Sequence, residues 1–198
     1  SQLVNRNVFG FDPEIVVASR DLAQARRLLA EAGYLEGLEL ELEHRLDRRV
    51  EPIARQLAEA GIRVRPVARH WHALLDRLEK GQVKLALFGL VSDSGESSDV
   101  LLSTLHTRSP ERGLGESNDR GYSNPTLDTL IETAWRTPRL PARQRLLQKC
   151  MWVAMQDLSL VPVVERYLVV GAREDLIWET RADGRVLARD LRRLPQQP

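Results

Sequence analysis

Cysteine is almost missing from these 198 residues. Cys150 stands alone, so no internal disulfide can form. That suits the cytoplasm and equally suits the many periplasmic proteins that use no disulfide. Long apolar runs are missing too: none approaches the ~20 residues of a membrane-spanning helix. Ser1 to Pro13 is polar and mixed and has no export-signal pattern, so for an exported protein the signal lies upstream of Ser1. Nor is there an excess of either charge. Formal net charge is +1, with 29 Lys+Arg against 28 Asp+Glu. A nucleic-acid surface needs a concentrated basic patch, and none is visible. Internal repeats and low-complexity stretches are absent as well. What remains is a chain that is 42% apolar, enough for one real core.

The apolar residues are periodic. Asp21 to Ala32 reads as a helix with Asp21 as N-cap, Gln24 three residues on, an apolar stripe of Ala25, Leu28, Leu29 and Ala32, and Gly33 as the stop. Gly37 to Glu43 alternates strictly, Leu38, Leu40 and Leu42 against Glu39, Glu41 and Glu43, which is a strand with one buried face. A helix from about Arg48 to Ala60 follows, with Pro52 in its first turn and Gly61 closing it. Ile62 to Val67 is a second strand, whose Arg63 and Arg65 can face the glutamates of the first. Trp71 to Lys80 is a third helix and Leu85 to Phe88 a buried strand. Strand–helix–strand–helix–strand is the layout of a parallel sheet with right-handed crossovers, an α/β domain. Asn124 caps a helix from Pro125 to Arg136, and Pro141 to Asp157 is a longer one. Leu160 to Val170 reads as extended, and the charged tail from Arg181 ends in four frayed residues.

The chemistry concentrates between Leu85 and Pro125. A strand that empties at its C-terminal end into a polar loop is where open α/β folds bind ligands. Here that loop is Gly89-Leu90-Val91-Ser92-Asp93-Ser94-Gly95-Glu96, and a second is Asn118-Asp119-Arg120-Gly121-Tyr122-Ser123-Asn124-Pro125. Asp93 reads either as a ligand contact or as a turn cap, since its neighbours are turn-prone. Glu96 reads as a solvated carboxylate. Trp71 lines a cleft or joins Leu74 and Leu78 in the core. Tyr122 stacks on a ligand or packs over its turn. His70 and His72 are badly spaced for a metal on a helix. Gly113-Leu114-Gly115 lacks the lysine of a phosphate loop and reads as a flexible turn. Ser, His and Asp are present, but no nucleophile elbow or zinc-helix motif frames them, so nothing specific in these residues points to an enzyme.

Five phrases together resemble one family. They are Ala25-Arg26-Arg27-Leu28-Leu29-Ala30-Glu31-Ala32-Gly33-Tyr34, the run from Ile53 to Val64, the Trp71 to Leu78 helix, Gly121-Tyr122-Ser123-Asn124-Pro125, and Val161-Pro162-Val163. In this order and spacing they resemble the second lobe of the peptide/nickel-type (family 5) extracellular solute-binding proteins that feed ABC importers. The resemblance implies a periplasmic-binding-protein-like lobe of class II type, with a parallel-rich sheet flanked by helices. It implies one lobe over residues 1–198: a lead-in at 1–18, an α/β core at 19–158, and a return strand and tail at 159–198. The N-terminal lobe, half of any cleft, lies outside this sequence.

The family's peptide-binding members carry G-W-x-x-D after this strand, with the Asp on the peptide's α-ammonium and the Trp lining the cleft. Gly89 and Asp93 match, and Leu90 replaces the Trp. The resemblance therefore implies a ligand site at Asp93, Trp71, Gly89, Leu90, Val91 and Tyr122. It implies a peptide or other small solute as ligand, an ABC permease as partner of the intact protein, no cofactor, no direct contact with nucleic acid, and a periplasmic location. The isolated lobe is expected to self-associate through its open half-cleft. The alternative is the same lobe as the effector sensor of a cytoplasmic transcriptional regulator.

Overall fold

A computed structural model of the chain describes residues 2–16, 18–166, 169, 171–179, 181 and 185–194. They fall into two compact units. One is formed by Ala18–Gly89 with Asp119–Gly121, the other by Ser1–Val17, Leu90–Asn118 and Tyr122–Pro198. The α/β core expected at 19–158 is thus divided after Gly89. The physical reason is that each part closes its own core.

In the first unit, the sheet unit, the order is α1 (Leu22–Glu31), β1 (Leu38–His44), α2 (Val50–Ala60), β2 (Ile62–Ala68), α3 (Trp71–Glu79) and β3 (Leu85–Leu87). The three strands form one parallel sheet in the order β2-β1-β3. Asp21 caps α1 by accepting the Gln24 N–H at 2.8 Å. Gly61 ends α2 in the left-handed region at φ 99°, which costs glycine no Cβ clash. The apolar stripe of α1 is turned from the one expected: Leu22, Ala25 and Leu29 are half-buried, while Leu28 and Ala32 face solvent.

The β1–β2 register places Glu39 beside Arg63 and Glu41 beside Arg65, and both pairs bond. The Leu/Glu alternation then breaks at the C-terminal end of β1, where Leu42, Glu43 and His44 are all buried. Arg77 of α3 and Arg69 after β2 close over Glu43, only 3% exposed, and hold its carboxyl below the ordinary range, the Arg77 bond contributing most. Leu85 to Phe88 is half-buried at the sheet edge, not the fully buried strand expected. Its Ala86 packs against Leu74, Leu78 and Val83.

The second unit, the helical unit, holds α4 (Ser97–Thr104), α5 (Pro125–Arg136) and α6 (Leu140–Asp157). Leu101, Leu105, Leu127, Ile131, Leu147 and Met151 make its core together with Val4 and Val8 of the lead-in. Cys150 lies fully buried there, and burial pushes its thiol up to about 12. The lead-in is tied to the loop before α4: Phe9 N–H donates to Gly95 O and Ser97 N–H to Phe9 O, both at 2.9 Å. In the return segment, 160–166 forms neither helix nor strand, and Tyr167, Leu168 and Val170 lie outside the described residues. The tail holds an antiparallel pair that its charge pattern hid, β4 (Leu176–Trp178) with β5 (Leu191–Arg193); the four terminal residues are outside the described set. No helix among the described residues is long and apolar enough to cross a membrane.

Candidate ligand-binding site

The loop after β3 is fixed by a residue beyond it. Asp99, in the first turn of α4, accepts the Ser94 N–H and the Ser94 hydroxyl at 2.9 Å and the Ser92 hydroxyl at 3.2 Å. Glu96 is not a solvated carboxylate: Arg143 of α6 grips it through Nε at 2.8 Å and Nη2 at 2.5 Å. Leu90 is half-buried against the helical core, which leaves its side chain a packing role, and Val91 is exposed. Asp93 is exposed, and among the described residues it accepts no hydrogen bond and joins no ion pair. The capping that a turn aspartate would supply is done by Asp99, leaving the Asp93 carboxylate available.

Tyr122 is half-buried and packs on the helical core. Asn118, 4% exposed, holds its backbone from both sides, accepting the Tyr122 N–H at 3.1 Å and donating to the Tyr122 carbonyl at 2.7 Å. The Tyr122 hydroxyl donates to Asp157 at 2.5 Å, and Asn124 donates to the same oxygen at 2.7 Å. Burial, then the Asp157 bond, pushes the phenol up to about 12, so it stays protonated and committed to this latch.

In the sheet unit the three parallel strands end on one edge. Trp71, the first residue of α3, is 37% exposed and outside the buried set of Leu74, Leu78 and Val83. Gly89 is exposed just past β3. Arg45 and Arg48, past the end of β1, are exposed and have no carboxylate partner among the described residues. The Arg120 guanidinium lies over the Phe88 ring, 5.9 Å from its centroid. The rings of His70 and His72 stack at 5.6 Å, and among the described residues no group of three His, Cys, Asp or Glu is placed to hold a metal. Of the residues expected in the site, Trp71 and Gly89 thus belong to the sheet unit, and Leu90, Val91, Asp93 and Tyr122 to the helical unit.

Two features went unseen in the sequence, and a third differs from its reading there. A hollow of the sheet unit, about 520 Å³, is lined by Glu39, Glu41, Arg63, Arg65, Arg77 and Lys84. It contains no expected site residue, and its glutamates and arginines are already paired with one another. In the helical unit, buried His106 places Nδ1 2.7 Å from the Thr107 carbonyl and Nε2 3.2 Å from Glu132. Arg112 and Arg136 flank that carboxylate at 2.9 and 2.6 Å, and the Arg112 bond above all holds its pKa down to about 2. Gly113-Leu114-Gly115 is a packed turn and not a flexible one: Leu114 is 3% exposed, and a Cβ on Gly115 would strike the backbone of His106 and Arg108.

The fold is that of part of a periplasmic binding protein. The chain's homologues are family 5 extracellular solute-binding proteins, the group its motifs resemble. Heme-binding protein A of Haemophilus influenzae is 24% identical over 165 residues, covering 79% of this chain and 29% of its own length. Di/tripeptide-binding protein 3 of Pseudomonas aeruginosa is 27% identical over 164 residues, covering 78% and 30%. Among solved structures, the periplasmic binding protein DppA of Helicobacter pylori in complex with the peptide STSA superposes with a TM-score of 0.70 at 23% identity, over 79% of this chain and 31% of that one. NikA of Staphylococcus aureus in complex with Ni(L-His)2 gives 0.67 at 16%, over 78% and 33%. The chain therefore spans about 30% of the length of these relatives. No family model matches it.

Proposed function

We propose that this chain is the C-terminal ligand-binding lobe of a receptor for an ABC importer, and that its solute is a peptide or a similar small molecule carrying an ammonium group. The observation that carries the reading is Asp93. Its loop is pinned by Asp99 and its own carboxylate has no partner among the described residues, on a chain whose homologues include di/tripeptide-binding proteins. A fixed carboxylate is the right chemistry for an ammonium, since a charge-assisted hydrogen bond contributes about 1.5–3 kcal/mol. In the sheet unit, exposed Trp71 offers an apolar surface of its own. Leu90, packed inward, does not replace the aromatic wall of peptide-binding members, which points to a wider pocket on that side.

A second lobe, supplied from upstream, closes over the solute and excludes water, and a permease accepts it in the periplasm. The lobe binds and performs no catalysis. The names of the relatives support a receptor and give no support to the sensor of a transcriptional regulator. Alone, the lobe offers half the contacts, so it binds weakly and associates with itself through the uncovered surface around Trp71. Calorimetric titration of the complete protein with short peptides, nickel chelates, heme and sugars tests the reading. Saturable binding of a peptide class that the isolated lobe binds poorly supports it; selective binding of an uncharged sugar contradicts it.

A further inference from the structure

We propose that the outer face of the α5–α6 hairpin is a docking surface for an anionic lipid bilayer, with Arg139, Arg145 and Lys149 meeting lipid phosphates while Trp135, Leu140 and Trp152 enter the headgroup layer. This face lies wholly within the helical unit and shares no residue with the ligand site, so lipid docking stands or falls separately from the receptor reading.

Helix periodicity makes the face. Leu147, Cys150, Met151 and Ala154 turn one side of α6 towards the core. Arg145, Lys149 and Trp152, four and then three residues apart, share the opposite side and are exposed. The turn between α5 and α6 presents Trp135, Arg139 and Leu140, which are exposed as well. Both tryptophans and Leu140 are more than half exposed. Leu140 and Trp152 stand ~18 Å apart along α6, at about 1.5 Å per residue. Apolar groups thus occupy both ends of a row that has cations between them.

Charge sets this stretch apart. From Thr133 to Gln156 there are five basic residues and no acidic one, in a chain whose net charge is only +1. Two of the five are already engaged, Arg136 by Glu132 and Arg143 by Glu96. Arg139, Arg145 and Lys149 have no carboxylate partner among the described residues. Arg145 donates to the Pro141 carbonyl of its own helix, which leaves its charge uncompensated. Unpaired cations of one sign attract an anionic surface. A bilayer fits better than an acidic protein patch, because Trp and Leu beside Arg and Lys are the residues that settle at the boundary of headgroups and acyl chains. The rings enter the boundary and the cations stay with the phosphates. An acidic protein patch would pair the cations and give the tryptophans no place.

The test is sedimentation of the complete protein with vesicles of phosphatidylcholine, with and without an equal share of phosphatidylglycerol. Wild type should bind the anionic vesicles, bind the neutral ones poorly, and be released by salt. Each basic side chain near an anionic surface is worth about fivefold in affinity, so Arg139→Gln, Arg145→Gln and Lys149→Gln combined should weaken binding roughly 100-fold. Trp152→Ala should weaken it too and reduce the blue shift of tryptophan emission on binding. Arg63→Gln, in the sheet unit, should change nothing. The triple variant should melt with wild type, since its three cations hold no carboxylate of the described residues. Failure of wild type to bind anionic vesicles, or equal binding by the triple variant, overturns lipid docking. Retention by permease-containing membranes but not by lipid vesicles overturns it as well and assigns the face to an acidic protein. Trp152 emission that resists acrylamide in the free protein also overturns it, by showing that the rest of the protein covers this face.

Discussion

Asp99 accepts the backbone N–H of Ser94 at 2.9 Å and so sets the loop that carries Asp93. The same oxygen takes the Ser94 and Ser92 hydroxyls, so three donors converge on one side chain at the start of α4. Asp99→Ala should cost about 1–2 kcal/mol of stability, the scale of lost hydrogen bonds to a part-exposed charge. It should also weaken ligand binding, because ordering the loop then falls to the ligand. A thermal melt and a titration on one variant separate the two effects. Unchanged affinity would show that the loop needs no help from Asp99.

Gly10 and Ser97 meet inside the helical unit and should respond oppositely to alanine. Gly10 sits at φ 94°, and a Cβ there would collide with the Ser97 hydroxyl and come within 2.9 Å of the Leu147 Cβ. Backbone strain and overpacking each cost about 1–3 kcal/mol, so Gly10→Ala should lower the melting temperature sharply. The Ser97 hydroxyl is buried with no hydrogen-bond partner among the described residues. Ser97→Ala removes that unmet group and should leave stability unchanged or raise it by about 1 kcal/mol. Melts of the two single variants check both signs.

Acid should loosen the helical unit through Glu132. Arg112, then His106 and Arg136, hold its pKa at about 2, against an ordinary 4.5. A lowered carboxylate pKa contributes stability that is fully present above the unfolded value and lost as pH falls through the folded one. Glu132 therefore supports the fold above about 4.5 and gives that support up between there and about 2. Glu132→Gln should be less stable than wild type near neutral pH, and the gap should narrow in acid. Urea melts at about pH 7 and about pH 3 measure this; a gap that stays constant would place the stability of the cluster elsewhere.

Much of the architecture could be read from the chain because the signals are local and periodic. The Leu/Glu and Ile/Arg alternations of β1 and β2 gave their register, and Glu39 and Glu41 do meet Arg63 and Arg65. Asp21 and Asn124 cap the helices they precede. Five short phrases in order named the group to which the chain's homologues belong. What could not be read depends on segments far apart in sequence. Glu43 has the same pattern as Glu39 but is buried, because Arg77 arrives from α3. Glu96 is held by Arg143, 47 residues on, and Tyr122 by Asp157, 35 residues on. Asp99 left a fainter signal, an aspartate in the first helical turn after a serine-rich loop, where donors commonly gather.

We propose that the Asp93 carboxylate, which has no partner among the described residues, binds the ammonium group of a solute. The most direct measurement is the affinity of the complete protein, wild type and Asp93→Asn, for tri-alanine and for its N-acetylated form. Asp93→Asn should weaken tri-alanine binding by about 1.5–3 kcal/mol, or roughly 10- to 150-fold. The acetylated peptide, lacking the charge, should bind both proteins equally weakly, and the melting temperature should not move, because Asp93 supports nothing in the fold. Equal binding of tri-alanine by the two proteins would contradict the account, and a large drop in melting temperature would make Asp93 a structural residue instead.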